Sequence, residues 1–136
     1  MPEKHEYAHV KQTVASEKAP KALGPYSVAN RFGPFVFASG QLGLDPNTNE
    51  LVPGGIEAET RQALTNLKHV LEAAGSSMDK VLKTTVFMHD IGEFARMNAV
   101  YAEFFPKDYP ARSTVQVAAL PRGGAVEIEL VACLES

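Results

Sequence analysis

The sequence predicts an α+β fold, a two-layer sandwich in which one six-stranded mixed sheet carries two helices on one face. The first observation behind this prediction is the order of hydrophobic patterns along the chain: strands, a helix, a strand, a helix and two final strands. The second is the length, because 136 residues make one domain with a core of ordinary size. The third is the composition, 45% hydrophobic and 21% charged, which excludes disorder over most of the chain.

The N-terminal part of the chain is predicted to form three strands. Residues 1–10 are polar and are expected to be a loose leader before a single domain of residues 11–136. The Gly-Pro pair in Arg31-Phe32-Gly33-Pro34 predicts a turn that joins the second and third strands into a hairpin. Alternating or apolar segments, bounded by glycine and proline, predict these strands over residues 10–15, 26–30 and 35–40.

Two helices are predicted in the middle of the chain. Residues 57–74 form the clearer one, and Gly75 is typical of a helix end. Its apolar positions fall three and four residues apart on one face: Ala63, Leu64, Leu67, Val70, Leu71 and Ala74. A second helix is expected over residues 94–105, because prolines follow it and large apolar side chains lie along one side: Phe94, Met97, Tyr101, Phe104 and Phe105.

Three further strands complete the predicted sheet. Residues 81–88 are apolar on both faces, which favours a central position. The last two strands are expected over residues 113–120 and 126–134, separated by a turn at Pro121-Arg122-Gly123-Gly124. In the last strand one face is apolar and the other is half polar and half apolar. A half-apolar face of this kind is typical of a sheet that closes against another subunit, so we expect an oligomer.

Charge and composition exclude several functional classes. The net charge is −3 and no basic stripe is visible, so a nucleic acid partner is not expected. The single cysteine, Cys133, allows no internal disulfide and favours a reducing, cytoplasmic location. No apolar run approaches the ~18 residues of a membrane span, and the N-terminus has no signal-peptide core. The scattered histidines show no metal-ligand spacing.

Four short segments carry residues suited to chemistry. Tyr26 follows a Gly-Pro corner that fixes its backbone, and Ser39-Gly40 ends a strand where a ligand could approach the main chain. Arg112 lies at the mouth of an apolar strand, and its planar fork suits a carboxylate. Glu127 and Glu129 lie on one strand face, and either could act as a general acid or base if partly desolvated. Structural alternatives remain open for each: a buried tyrosine that closes a loop, a tight turn, a salt bridge and a solvated carboxylate.

Taken together, these segments resemble the RidA family, also called the YjgF/YER057c/UK114 family. The resemblance runs from about Thr13 to Ala132, and its strength lies in a series of motifs that arrive in order. The motifs are Ala19-Pro20 with Gly24-Pro25-Tyr26, Ser39-Gly40-Gln41, Lys83-Thr84-Thr85-Val86-Phe87, Asn98 with Tyr101 and Phe104-Phe105, Pro110-Ala111-Arg112-Ser113, and Val126-Glu127-Ile128-Glu129.

The resemblance implies a chorismate-mutase-like fold and a homotrimer with ligand clefts between its subunits. It also implies an imine deaminase without a cofactor, which hydrolyses 2-iminobutanoate or 2-iminopropanoate, released by pyridoxal-phosphate-dependent dehydratases, to the 2-keto acid and ammonia. Carried over by motif, Arg112 would clamp the substrate carboxylate and Glu127 would position the attacking water. The remaining implied binding residues are Tyr26, Ser39, Gly40, Asn98 and Thr114, the last of which stands where many family members have cysteine.

Other functions fit parts of the same pattern. A trimer that binds a 2-keto acid as a signal would use the same arginine without catalysis. An endoribonuclease or translation inhibitor, and a holdase-like chaperone, are also ascribed to relatives, although the acidic balance disfavours binding to phosphates.

The spacing of residues along a strand limits how close Arg112 and Glu127 can lie. In a simple hairpin of the last two strands, Arg112 and Glu127 would lie about 20 Å apart. A shared site therefore requires another subunit or a strand order that separates these two strands.

Overall fold

The computed structural model describes residues 7–134. They form two helices, α1 (Gly55–Ala74) and α2 (Phe94–Phe104), and six strands. Three strands precede α1, one lies between the helices and two follow α2. The strands are β1 (Gln12–Val14), β2 (Ala29–Phe32), β3 (Phe35–Leu42), β4 (Val81–Met88), β5 (Ala111–Gln116) and β6 (Val126–Cys133).

All six strands belong to one mixed sheet with the order β1-β2-β3-β6-β4-β5. Only β4 and β5 are parallel, and the other neighbouring pairs are antiparallel. The last two strands are therefore not a hairpin, because β6 inserts between β3 and β4 while β5 occupies an edge. β4 is an interior strand, as its apolar pattern predicts.

Both helices cover the same face of the sheet. The predicted apolar positions of α1 are completely buried, as are Val86 of β4 and Ile128 of β6 beneath the helical layer. The helix is tied to the sheet by buried Asn66, whose amide donates to the carbonyl oxygens of Leu42 (3.2 Å) and Leu44 (2.9 Å). The predicted two-layer α+β sandwich with a six-stranded mixed sheet is confirmed.

Several predicted element boundaries were wrong, and strand pairing explains the differences. The second strand begins at Ala29 rather than Tyr26, because β3 has an irregularity after Ala38, where the pairing with β2 stops. Arg31 and Phe32 belong to β2, so only Gly33 and Pro34 form the turn.

The strand that carries Arg112 also differs from its prediction. It runs over Ala111–Gln116 rather than residues 113–120. As an edge strand it pairs only with β4, and Gln116 lies opposite Met88, the last residue of that strand. The backbone N–H of Val117 still donates to the carbonyl of Met88 (2.8 Å), and the pairing stops there because β4 ends at Met88.

Part of the predicted N-terminal leader contacts the sheet. The backbone N–H of Gly33 donates to the carbonyl of Ala8 (3.0 Å), and the His9 ring packs edge-on against Phe32. The leader's first six residues lie outside the described residues. Within residues 7–134, neither helix combines the length and apolar character needed to cross a bilayer.

Candidate active site

A first cleft, here called the Glu127 cleft, opens beside the junction of β3 and β6. It has a volume of about 450 Å³, and its lining includes Tyr26, Ser39, Gly40 and Glu127. Four of the seven residues predicted for the site therefore lie in one cleft. Two cations, Lys21 and Arg122, also line it.

Glu127 reaches this cleft because of strand alternation. Its neighbours Val126 and Ile128 point into the core, so its own side chain lies on the face opposite the helices. The carboxyl group packs against Gly40, where an added Cβ would come within 2.9 Å of the Glu127 Cδ atom. Burial raises the pKa of Glu127, and the nearby negative charge of Glu129 adds to the rise. Glu127 is therefore a half-buried acid rather than a fully solvated surface carboxylate.

Tyr26 and Ser39 form the wall of the Glu127 cleft that comes from the N-terminal part of the chain. The backbone N–H of Tyr26 bonds the carbonyl of Gly24 (2.8 Å), which fixes the corner, and the Tyr26 side chain is 53% exposed. The Ser39 hydroxyl donates to the carbonyl of Ser27 (2.6 Å), so its proton is already used to hold this wall in place. The Ser39 oxygen can still accept a bond from a ligand.

A second cleft, here called the Arg112 cleft, lies between α2 and the edge strand β5. It has a volume of about 400 Å³, and its lining includes Asn98, Tyr101, Tyr109 and Arg112. Arg112 is on the helix-covered side, because it pairs with Thr84, which is completely buried there.

Arg112 is held by an amide and two aromatic rings. Its Nη1 donates to Oδ1 of Asn98 (2.7 Å), and its Cζ lies 4.6 Å from the ring centre of Tyr101 and 5.3 Å from that of Phe94. The ion pairs among residues 7–134 involve other side chains, so no described carboxylate neutralises Arg112. The salt-bridge alternative thus finds no support in this part of the chain, and the guanidinium has N–H groups left for an anion.

Asn98 and Thr114 differ in their relation to Arg112. The Asn98 oxygen bonds the guanidinium, so this residue orients the arginine in addition to lining the cleft. Thr114 lies on the same face of β5, two residues along, opposite Val86. Its hydroxyl oxygen is buried without a partner, and the residue lines neither cleft.

The two clefts do not meet within one chain. Glu127 pairs with Phe87 of β4, and Arg112 pairs with Thr84. Three residues along β4 and two strand spacings place the Cα atoms on the order of 14 Å apart, with the side chains on opposite faces of the sheet. The strand order reduces the distance expected for a hairpin but does not bring the two groups to one small molecule.

Sequence reasoning missed some residues of these clefts. Arg122 was assigned only to a turn, but its backbone adopts a left-handed conformation (φ 60°) and its Nη1 donates to the carbonyl of Asn49 (2.5 Å). The Gly-Gly pair after it was the only sequence signal for an unusual turn. Tyr101 was assigned to the apolar face of α2, yet it also contacts Arg112; the contact depends on helix-sheet packing, which has no local signature.

The site's chemistry is that of an anion clamp and an acid/base group. No cluster of three or more metal-ligating His, Cys, Asp or Glu side chains occurs within residues 7–134. A guanidinium can fix a carboxylate, and a half-buried carboxyl can accept a proton from water.

Comparison with known proteins finds similar sequences and the same fold. The family model described as Endoribonuclease L-PSP matches residues 16–134. A 2-iminobutanoate/2-iminopropanoate deaminase of Bos taurus is 48% identical over 123 residues, which make up 90% of each chain.

Solved structures agree with the sequence comparison. A putative endoribonuclease from Thermotoga maritima superposes with a TM-score of 0.90 at 49% identity, covering 93% of this chain and all of that one. RidA from the Antarctic bacterium Psychrobacter gives a TM-score of 0.87 at 46% identity, covering 90% of this chain and 99% of that one. The chain is an enzyme of the hydrolase class, as its sequence predicts, and it belongs to the YjgF/RidA family.

Proposed function

We propose that the protein hydrolyses 2-iminobutanoate and 2-iminopropanoate to the corresponding 2-keto acids and ammonia. The observation that carries this proposal is the pair of complementary clefts, one with an arginine that no described carboxylate neutralises and one with a half-buried glutamate. The Bos taurus relative bears the name of this activity and covers nine-tenths of the chain.

The proposed substrate matches these groups in charge. A 2-imino acid places a carboxylate next to the electrophilic carbon of an imine that is protonated on nitrogen, so the carboxylate needs a cation and the imine carbon needs water and a base. Arg112 binds the carboxylate through the N–H groups that Asn98 leaves free. Pyridoxal-phosphate-dependent dehydratases of serine and threonine are the proposed source of the imine.

Glu127 moves the protons of the reaction. Its carboxylate accepts a proton from water as the water oxygen bonds the imine carbon and the C=N π electrons move to nitrogen. The resulting carbinolamine carries a hydroxyl and an amino group on that carbon. Glu127 then returns the proton to the nitrogen, the C–N bond breaks and ammonia leaves. The carbinolamine hydroxyl gives its own proton to the Glu127 carboxylate as its oxygen becomes the keto group, and the released ammonia takes up this proton as ammonium. Acid/base help of this kind contributes about 10²- to 10⁴-fold in rate.

We further propose that the working unit is a homotrimer, in which Arg112 of one subunit and Glu127 of its neighbour meet at one substrate. The support is geometric, since the two side chains lie on opposite faces of one sheet, too far apart for a molecule with adjacent carboxylate and imine groups. The face opposite the helices also exposes Phe32, Phe35 and Phe37, whose burial against another copy would be favourable. A trimer rather than a dimer rests on the family resemblance, and a cytoplasmic location rests on the single cysteine.

The decisive experiment follows imine hydrolysis directly. A threonine dehydratase generates 2-iminobutanoate in the assay, and keto acid and ammonia are measured with wild type, Arg112→Ala and Glu127→Gln. We expect the wild type to accelerate hydrolysis, Arg112→Ala to raise KM about 10- to 100-fold, and Glu127→Gln to lower kcat about 10²- to 10⁴-fold. Matched controls are Arg61→Ala and Glu103→Gln, which alter an exposed ion pair and leave both constants unchanged.

A folded wild type without acceleration would contradict the deaminase proposal. Binding of 2-ketobutyrate by that inactive protein, lost in Arg112→Ala and retained in Glu127→Gln, would identify a carboxylate-binding module instead.

A further inference from the structure

Beneath Arg112 lies a pair of buried hydroxyl groups with no role in the proposed reaction. The Thr84 Oγ1 and the Tyr101 hydroxyl oxygen are 2.8 Å apart, and the two residues are 0% and 5% exposed. Thr84 lies on β4 at the register of Arg112, and Tyr101 projects from α2 against the guanidinium. The pair therefore connects the two elements that form the Arg112 cleft.

Packing alone does not require hydroxyl groups at these positions. Thr84 lies between Leu130 on one neighbouring strand and Arg112 on the other, where valine would have the same shape. A buried hydroxyl stabilises a fold only when it is hydrogen-bonded, and the Thr84–Tyr101 bond meets that need. The bond also fixes the orientation of the Tyr101 ring. This ring is the nearer of the two that contact Arg112.

The Tyr101 hydroxyl is electrostatically coupled to the arginine. Burial raises the pKa of Tyr101, while the Thr84 hydrogen bond and the charge and hydrogen bonding of Arg112 act in the opposite direction. The same hydroxyl is thus placed against both the threonine and the guanidinium.

We propose that Thr84 and Tyr101 are positioning residues for Arg112, which fix the plane of its guanidinium so that its free N–H groups meet a substrate carboxylate in bidentate geometry. This inference rests on the proposed function, because it assigns the carboxylate to Arg112. Asn98 holds Nη1, and the Phe94 and Tyr101 rings contact the guanidinium. Thr84 acts one step further away, since its hydroxyl fixes Tyr101 and touches no substrate.

Three variants separate positioning from a structural role. Thr84→Val and Tyr101→Phe each remove one hydroxyl and keep the shape, and Thr84→Ser keeps the hydroxyl with a smaller side chain. For 2-iminobutanoate we expect KM to rise about 3- to 10-fold in the first two variants, the effect of one lost hydrogen bond, with kcat within about twofold of wild type. Thr84→Ser is expected to retain the wild-type KM.

A double-mutant cycle tests whether the effect passes through the arginine. Thr84→Val is combined with Arg112→Lys, which keeps the charge but lacks the planar fork. We expect Thr84→Val to lower kcat/KM in the wild-type background and to change it little in the Arg112→Lys background. An equal fold-loss in both backgrounds, or no change of KM in folded Thr84→Val and Tyr101→Phe, would overturn the inference.

The dissociation constant of 2-ketobutyrate, measured by calorimetry on the same variants, keeps the two proposals distinguishable. A wild type that binds 2-ketobutyrate without hydrolysing the imine contradicts the deaminase proposal alone. The double-mutant cycle of Thr84→Val and Arg112→Lys is then evaluated with the dissociation constants of 2-ketobutyrate in place of kcat/KM. A wild type that neither hydrolyses the imine nor binds the keto acid would overturn both.

Discussion

Glu127 shows how one residue acquires chemistry from its surroundings. Its sequence position, alternating with core residues on a strand, predicts only which face it occupies. Its partial burial in a cleft, where it packs against Gly40, raises its pKa above the ordinary value, and the negative charge of Glu129 adds to the rise. A base with a raised pKa holds a proton more readily at the carbinolamine stage, which suits a group that must accept a proton and return it.

The pKa of Glu127 predicts a pH dependence with a definite sign. The proposed base works when ionised, so kcat/KM is expected to fall as the pH is lowered through the raised pKa. Glu129→Gln removes the neighbouring negative charge, which is the second cause of the rise after burial. We therefore expect the acidic limb of the kcat/KM profile to move to lower pH in Glu129→Gln, measured with 2-iminobutanoate.

The control for this prediction is Glu103→Gln, which removes an exposed charge paired with Arg61 and leaves the acidic limb in place. An unshifted limb in Glu129→Gln would mean that another group governs the pH profile.

The strand order decides what the elements can do. Because β6 inserts between β3 and β4, Glu127 is brought beside Gly40 and Ser39, which lie 87 and 88 positions before it along the chain. Because β5 is left at the edge, Arg112 opens onto a cleft under α2. Helix α1 supports the Glu127 cleft from behind, through the Asn66 bonds to the end of β3 and the residues after it.

Substitution of Asn66, which joins α1 to the end of β3, is expected to cause a large loss of stability. Asn66→Ala leaves the buried carbonyl groups of Leu42 and Leu44 without this donor, so we expect the free energy of unfolding to fall by about 2 to 4 kcal/mol. Urea unfolding at one fixed protein concentration measures the change, since association affects the stability of an oligomer.

Gln62→Ala provides the matched comparison. It removes only the donor to the Asn66 Oδ1 atom (2.8 Å), and we expect a cost of less than about 1 kcal/mol. Equal costs in the two variants would show that the carbonyl groups find other partners.

At the scale of the whole molecule, one chain presents two separate clefts, which we propose to be halves of one site. The Arg112 cleft lies on the helix side, and the Glu127 cleft lies on the other side. The exposed phenylalanines on the face opposite the helices provide the apolar surface that association would bury. The separation of the two clefts and the exposed apolar surface both support the proposed association, whereas a trimer rather than a dimer rests on the family resemblance.

Mixing two impaired variants tests this arrangement, with 2-iminobutanoate kept well below the wild-type KM so that both parents have low activity. Arg112→Ala and Glu127→Gln subunits, unfolded together and refolded in equal amounts, form hybrid oligomers in which some clefts receive both wild-type residues. With random assembly, about a quarter of the clefts are expected to be complete, and activity should return to about a quarter of the wild-type value. Separately refolded variants mixed without exchange serve as the control, and a co-refolded mixture no more active than this control would contradict a shared site.

The sequence by itself determined the helices, the layer arrangement and the residue types of the site. Residues 57–74 buried their apolar face as predicted, because helical periodicity depends on local geometry alone. The motif series also determined the family, since it samples residues along nearly the whole chain. The series named Arg112 and Glu127 without showing how far apart they lie.

Only the tertiary structure decided strand order, strand ends and the surroundings of each side chain. The end of β5 depends on where β4 ends, and the contacts of Arg112 depend on how α2 packs over the sheet. These features arise from pairing and packing between residues distant in sequence, which leave no periodic signal in either segment alone. Local pattern therefore predicted the parts, whereas long-range hydrogen bonding and packing placed Glu127 and Arg112 in separate clefts on opposite faces of one sheet.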